Sequence, residues 1–247
     1  MQIDILHHLE RAYYDVQRGE EKNEDWWPAK QSESSLWMWA TFLRVSDSLC
    51  QDVPGNEYTL TAKPSYHETN PTLEDWESLV EKNWNKSVNN SRAIDREEVL
   101  VDFTVLDWKS QDHIVLTAES EMHAAHGVGY HICGNNGYAW DFYKLLLVPS
   151  PIRLYFAQVG SGYGRTGKER RDDLVSSIDE ILRNQAYSKN LLRPGDFLSI
   201  VILSPDCAEE EWTDMRLIEY LKEPNGSLHR KKPDTPWSIG SFVTCGH

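Results

Sequence analysis

The sequence predicts an α/β protein, a mixed central β-sheet flanked by helices, with a helical, Trp-rich N-terminal extension. Three observations carry this. Val99 to Trp108 and His113 to Glu121 alternate apolar and polar residues around a polar turn, Lys109-Ser-Gln-Asp112, as an antiparallel hairpin does. Ile152 to Val159 and Phe197 to Leu203 are apolar enough for buried strands. Between them Arg171 to Gln185 places Leu174, Ile178, Ile181, Leu182 and Gln185 on one helical stripe. A strand–helix–strand crossover after a hairpin requires a sheet of mixed sense covered by helices.

Taken in order, residues 3–17 carry a helical stripe of Ile5, Leu6, Leu9, Tyr13 and Val16. An acidic break over 18–25 follows. Ser34 or Ser35 then opens a second helix to about Leu49, whose Leu36, Trp37, Trp39, Ala40, Phe42, Leu43 and Val45 leave few polar positions. Glu57 to Ala62 alternates as a short strand and is closed by Pro64. Thr72 with Asp75 resembles a capping box for a helix bearing Leu73, Trp76, Leu79, Val80 and Trp84. The polar segment 85–95 reads as a loop. Beyond the hairpin, Asp141 is expected to cap a short helix through Val148, ended by Pro149 and Pro151. Residues 212–221 fit both helical and strand periods, and the Pro224-Asn225-Gly226 turn favours a strand of a final hairpin. Residues 1–95 thus read as a mainly helical region packed on the core, and 96–247 as the α/β core, together one compact unit.

With 247 residues, 40% of them hydrophobic, the chain can bury a sizeable core. Six of its ten Trp gather early, at Trp26, Trp27, Trp37, Trp39, Trp76 and Trp84, as a packed aromatic region or a stacking surface. The net charge of -14 argues against tight autonomous binding to long DNA, because phosphate contacts need a basic face. Lys168-Glu-Arg-Arg171 and His229-Arg-Lys-Lys232 are the best local basic patches. The cysteines at 50, 133, 207 and 245 have no paired spacing, which fits a reducing cytoplasm. No apolar run approaches a membrane span.

The hairpin holds the chemistry. A register that sets Trp108 opposite His113 sets Asp102 opposite Glu119, and Glu121 shares that face. Val101, Phe103 and Val105, with Ile114, Leu116 and Ala118, form the other, core-facing side. Facing carboxylates repel and need a cation, and three oxygen donors suit Mg²⁺ (or Mn²⁺). Lys144 falls in the first turn of the expected helix, where the dipole disfavours a cation. A residue that breaks a local rule there is a candidate to point at the acids.

These residues resemble the PD-(D/E)XK nuclease-like, restriction-endonuclease-like superfamily. The likeness runs over about 97–205. It rests on Asp102, then Ala118-Glu-Ser-Glu121, Asp141-Phe-Tyr-Lys-Leu-Leu146, Ile152-Arg-Leu-Tyr-Phe and Lys168-Glu-Arg-Arg171. It implies a restriction-endonuclease-like core and Mg²⁺-dependent phosphodiester hydrolysis on nucleic acid. Asp102, Glu119 and Glu121 would hold the metal. Glu121 stands where the family usually carries its strand lysine, so Lys144 would be that lysine displaced to the following helix. An upstream acid, Glu77 or Glu81, would add a ligand. The same fold without chemistry would instead be a binding or regulatory subunit, with a protein partner or as a homodimer.

Two further patterns weigh less. His123, His126, His131 and Cys133 offer Zn²⁺ ligands at a spacing that matches no familiar finger. A small-molecule or zinc enzyme built on that loop is the third reading. Gly162-Tyr-Gly-Arg-Thr-Gly167-Lys168 sits between strand and helix as a P-loop would, but Glu169 follows where the Mg²⁺-binding hydroxyl belongs. Cys133 and Ser120 have no context that marks a nucleophile.

Overall fold

The computed structural model describes residues 4–12, 38, 41–42, 44–45, 49, 58–62, 94–95, 101–107, 113–121, 137–160, 164–184, 191–203, 215–231 and 235–237. They belong to two compact units, Met1–Val115 and Leu116–His247. The fold is α/β, with a mixed sheet and flanking helices. Among the described residues no helix is long and apolar enough to cross a membrane.

In the first unit, helix α1 (residues 5–12) starts at Asp4, whose carboxylate accepts a hydrogen bond from the His7 backbone N–H at 3.1 Å. Ile5, Leu9 and Ala12 are its buried stripe. Met38, Phe42, Val45 and Leu49 are buried at helical spacing, as the second expected helix requires. Strand β1 (Tyr58–Ala62) pairs antiparallel with β3 (Phe103–Asp107) and parallel with β2 (Ile94–Asp95). The end of the segment read as a loop is therefore strand, with Leu60 opposite Ile94. Val101, Phe103 and Val105 are buried as expected, and Phe103 meets Phe42 with ring centroids 5.2 Å apart. The expected helix over 72–84 lies outside the described residues.

The second unit runs from the end of β4 (His113–Glu121) through α2 (Tyr138–Leu147), β5 (Ile152–Gln158), α3 (Gly167–Arg183), β6 (Phe197–Leu203), β7 (Met215–Lys222), β8 (Leu228–Arg230) and β9 (Thr235–Trp237). Strands β4, β5 and β6 are parallel, β7 is antiparallel to β6, and β8 and β9 both pair antiparallel with β7. The ambiguous segment is thus a strand. The turn after it carries Gly226 at φ 84, in the left-handed region that only glycine enters without strain. Every residue of β6 is buried, Ser199 included, so its largely apolar run needs no alternation.

Helix α3 begins four residues before the expected start because Thr166 and Glu169 form a capping box. The Glu169 N–H donates to the Thr166 hydroxyl at 3.2 Å, and the Thr166 N–H donates to the Glu169 carboxylate at 2.8 Å. Those bonds hold the Glu169 carboxyl below the usual range. The acid that spoiled the P-loop reading is therefore the residue that starts the helix.

Both parallel crossovers step in the same direction across the sheet, so α2 and α3 cover one face. In register, Glu119, Tyr155, Ile200 and Ile218 lie side by side on a face shared with Thr117, Arg153, Leu198 and Tyr220. Phe142 of α2 meets Tyr155 edge-on at 5.5 Å, and Tyr220 donates its hydroxyl to Asp179 of α3.

One buried cation fastens the amino ends of β5 and β6. Arg153, 1% exposed, donates to Asp196 at 2.8 Å and to the carbonyls of Val148, Leu191 and Ser150. Burial lowers the guanidinium's pKa against the pull of Asp196. Asp196 also accepts the Arg193 N–H at 2.9 Å, after a turn in which Gly195 has φ 93. Removing one partner strands the other charge in the interior. Asp196→Ala is expected to lower unfolding stability by about 3–5 kcal/mol in urea denaturation. A loss under about 1 kcal/mol would mean that the pair is not the fastening described.

Candidate active site

Strand alternation gives Glu119 and Glu121 the same face of β4, and the parallel register sets them beside Tyr155 and Ala157 of β5. Both are buried, Glu119 at 2% and Glu121 at 7% exposure. Helix α2 lies over this face and brings a second pair of charged groups. Asp141 and Lys144 are one turn apart on it, and their side chains meet at 2.9 Å. The Lys144 ammonium also forms an ion pair with Glu119 across the strand–helix gap.

Two tyrosines hold the start of α2 against the sheet. Tyr155 donates its hydroxyl to the Tyr138 carbonyl at 2.8 Å, and Tyr138 donates to the Gln158 carbonyl. Both phenols are pushed up, first by burial and then by the neighbouring carboxylates, so both remain protonated donors. The helix is entered through Gly137 at φ 142 and ψ 162, a conformation essentially reserved for glycine. Arg170, in the first turn of α3 and fully buried, donates to the Gly160 carbonyl at 2.6 Å and closes the exit of β5. The cluster therefore sits toward the carboxyl ends of parallel strands beside a helix start, the usual ligand position in open α/β sheets.

The electrostatics follow from burial. Desolvation pushes the Asp141 carboxyl up to about 6; the Lys144 ammonium opposes this, and a hydrogen bond with Glu121 adds to it. Burial alone would lower the Lys144 pKa, but Glu119 and Asp141 outweigh it and hold the ammonium above its ordinary value. Lys144 is a fixed positive charge at any physiological pH.

Of the expected site residues, the structure brings Glu119 and Lys144 into contact and places Glu121 against Asp141. Asp102 is half-buried at a bend just before β3, in the first unit. Glu77, Glu81, His123, His126, His131 and Cys133 lie outside the described residues. The helix boundary is corrected. Gly137, not Asp141, is the N-cap of α2, so Lys144 falls in the last turn, where the dipole favours a cation. The lysine points at the acids for packing and charge reasons, with no dipole penalty to signal it. Sequence reasoning passed over Asp141 as an acid of the site. Its spacing of three from Lys144 was the available signal.

The donors here are hard carboxylate oxygens, which suit Mg²⁺ and Mn²⁺ and not a thiolate-loving metal. The cluster already accommodates one cation, the Lys144 ammonium. Among the described residues no group of three or more His, Cys, Asp or Glu is arranged to hold a metal ion. Comparison with protein-family models, curated proteins and solved structures finds no match to this chain.

The raised carboxyl of Asp141 has a sign. A group that binds its proton more tightly when folded gives stability below its unfolded pKa, and that stability is lost as pH rises from 3.8 through about 6. Wild type is therefore expected to lose stability relative to Asp141→Asn between pH 4 and pH 7, read by denaturation at each pH. Parallel profiles for the two proteins would contradict the assignment.

Proposed function

We propose that the Glu119, Glu121, Asp141 and Lys144 cluster is the centre of a Mg²⁺- or Mn²⁺-dependent phosphodiesterase acting on nucleic acid, on a restriction-endonuclease-like core of the PD-(D/E)XK kind. The observation that carries the reading is the Lys144–Glu119 ion pair. A lysine displaced from the strand to the next helix has to reach the strand carboxylate, and this one does.

Glu119 and Glu121, with Asp102, would hold the metal, and Asp141 adds a carboxylate within reach of the same place. When bound, the metal lowers the pKa of a coordinated water and polarises the phosphoryl group. Lys144 keeps its proton, so it does not act as a base; its ammonium stabilises negative charge developing on the phosphate. The hydrolysis then breaks one P–O bond and forms another, with the departing oxygen taking up a proton. The net charge of -14 makes the nucleic-acid grip weak on its own, which favours a protein partner or a homodimer. A reducing cytoplasm remains the compartment that fits the cysteines.

A second reading is favoured by the same geometry. Lys144 already neutralises Glu119 and Asp141, as an internal cation would in a nuclease fold that serves only as a binding or regulatory subunit.

Cleavage of single- and double-stranded DNA and RNA with Mg²⁺ or Mn²⁺ separates the two. Glu119→Gln and Lys144→Ala are each expected to reduce the rate by about 10²-fold or more. Wild type no more active than these variants would end the hydrolase reading and leave the regulatory one.

A further inference from the structure

Strands β7 and β8 are joined by Glu223-Pro224-Asn225-Gly226-Ser227, whose tip, residues 224–227, is exposed. The Gly226 N–H donates to the Glu223 carbonyl at 2.9 Å, and the Glu223 N–H donates to the Ser227 carbonyl at 2.9 Å. With Pro224 at its second position and Gly226 at φ 84, this is a type I turn ended by a G1 bulge. Among the described residues nothing lies within 4 Å of where a Cβ on Gly226 would stand. The glycine is required for its backbone angle, and it leaves its own nitrogen unshielded.

That nitrogen is one bond from the asparagine carbonyl, and an Asn-Gly step offers no side chain to hinder its approach to the asparagine Cγ. The closed turn opposes the approach, which needs the two atoms aligned at contact distance. Gly226 N–H is committed to Glu223. Asn225 Oδ1 accepts the Ser227 N–H at 2.8 Å, and Asn225 Nδ2 lies 3.4 Å from the Glu223 carboxylate. The same carboxylate accepts the Ser227 hydroxyl at 3.1 Å. Both reacting groups are therefore engaged elsewhere while the hairpin is shut.

We propose that Asn225 is a site of covalent modification, deamidation through a succinimide, which the closed β7–β8 turn holds back and local opening releases. Gly226 N attacks Asn225 Cγ: the N–Cγ bond forms, the Cγ–Nδ2 bond breaks, and the Gly226 proton departs with Nδ2 as ammonia. One water then opens the ring, at Cγ to give aspartate or at the Asn225 main-chain carbonyl to give isoaspartate. Solvent reaches the exposed tip and supplies that water. Either product sets a carboxylate beside Glu223, where the amide donated a hydrogen bond. Isoaspartate also adds a carbon to the main chain of a turn whose register pairs Lys222 with Leu228. Strand β8 carries Arg230, which donates to Asp179 of α3 at 3.3 Å, so the lesion loosens that link too.

The test is incubation of the full chain at neutral pH, in buffer and in guanidinium, followed by peptide mapping by mass spectrometry. The Asn225 peptide is expected to convert from amide to acid, with isoaspartate among the products. Conversion in buffer is expected to be at least about tenfold slower, because only the open turn reacts. Pro224→Gly, which frees the turn, is expected to narrow that gap. Gly226→Ala in guanidinium, where folding plays no part, is expected to slow conversion because its Cβ crowds the attacking nitrogen. No conversion at Asn225 in guanidinium, conversion confined to Asn136-Gly137 (the other such step in the sequence), or an undiminished rate in Gly226→Ala would overturn the site. Equal rates in buffer and guanidinium, or an unchanged gap in Pro224→Gly, would overturn the hold exerted by the turn.

Discussion

A carboxylate withdrawn from water has to be met by a cation, by hydrogen-bond donors or by a proton, and the second unit contains Glu119, Glu121 and Asp141 in one buried region. Two of these remedies are visible. Lys144 supplies a cation to Glu119 and Asp141, and burial with Glu121 lets Asp141 keep a proton to about pH 6. Much of the surrounding architecture serves that compensation. Helix α2 must lie over β4 and β5 at a fixed height, or the ammonium and the carboxylates do not meet.

Several contacts set that height. Tyr155 and Tyr138 bind the start of α2 to the end of β5, while Phe142 packs on Tyr155 one turn further along. At the other end Arg153 takes the Val148 carbonyl just after α2 and ties it to Asp196 before β6. The helix is therefore fixed at both ends by polar contacts from the same strand, β5. Arg170 of α3 closes the exit of β5 through Gly160. Such rigidity places charged groups accurately, which a catalytic centre requires. The same rigidity would equally serve a fold kept for binding alone. What separates those two roles is whether the cluster takes up a divalent cation.

How much of this was legible beforehand varies with the physics. Buried strands such as Phe197–Leu203 declare themselves because all their residues but Ser199 are apolar. Helix starts are harder. Asp141 looked like a cap by residue type, yet the chain turns earlier, at Gly137, whose backbone conformation no side-chain pattern advertises. Lys144 consequently lies in the last turn of α2, with no dipole penalty, and still meets Glu119. Thr166 and Glu169 were legible as a capping box, but the glycines around them drew attention to phosphate binding instead. Asp141 is linked by its spacing of three to Lys144, but not to Glu121 on the sheet. Its role depends on how far α2 descends on the sheet, which only Tyr138, Tyr155 and Phe142 decide. The pairing of Asp102 with Glu119 is an expectation from the hairpin register and enters the proposal as such.

These carboxylates are proposed to seat a divalent cation. Anomalous diffraction from crystals of the wild-type protein equilibrated with Mn²⁺ addresses it most directly. One ion is expected at about 2.1 Å from oxygens of Glu119 and a neighbouring acid. Crystals at saturating Mn²⁺ with no anomalous peak at the cluster, and Lys144 still bridging Glu119 and Asp141, would contradict it.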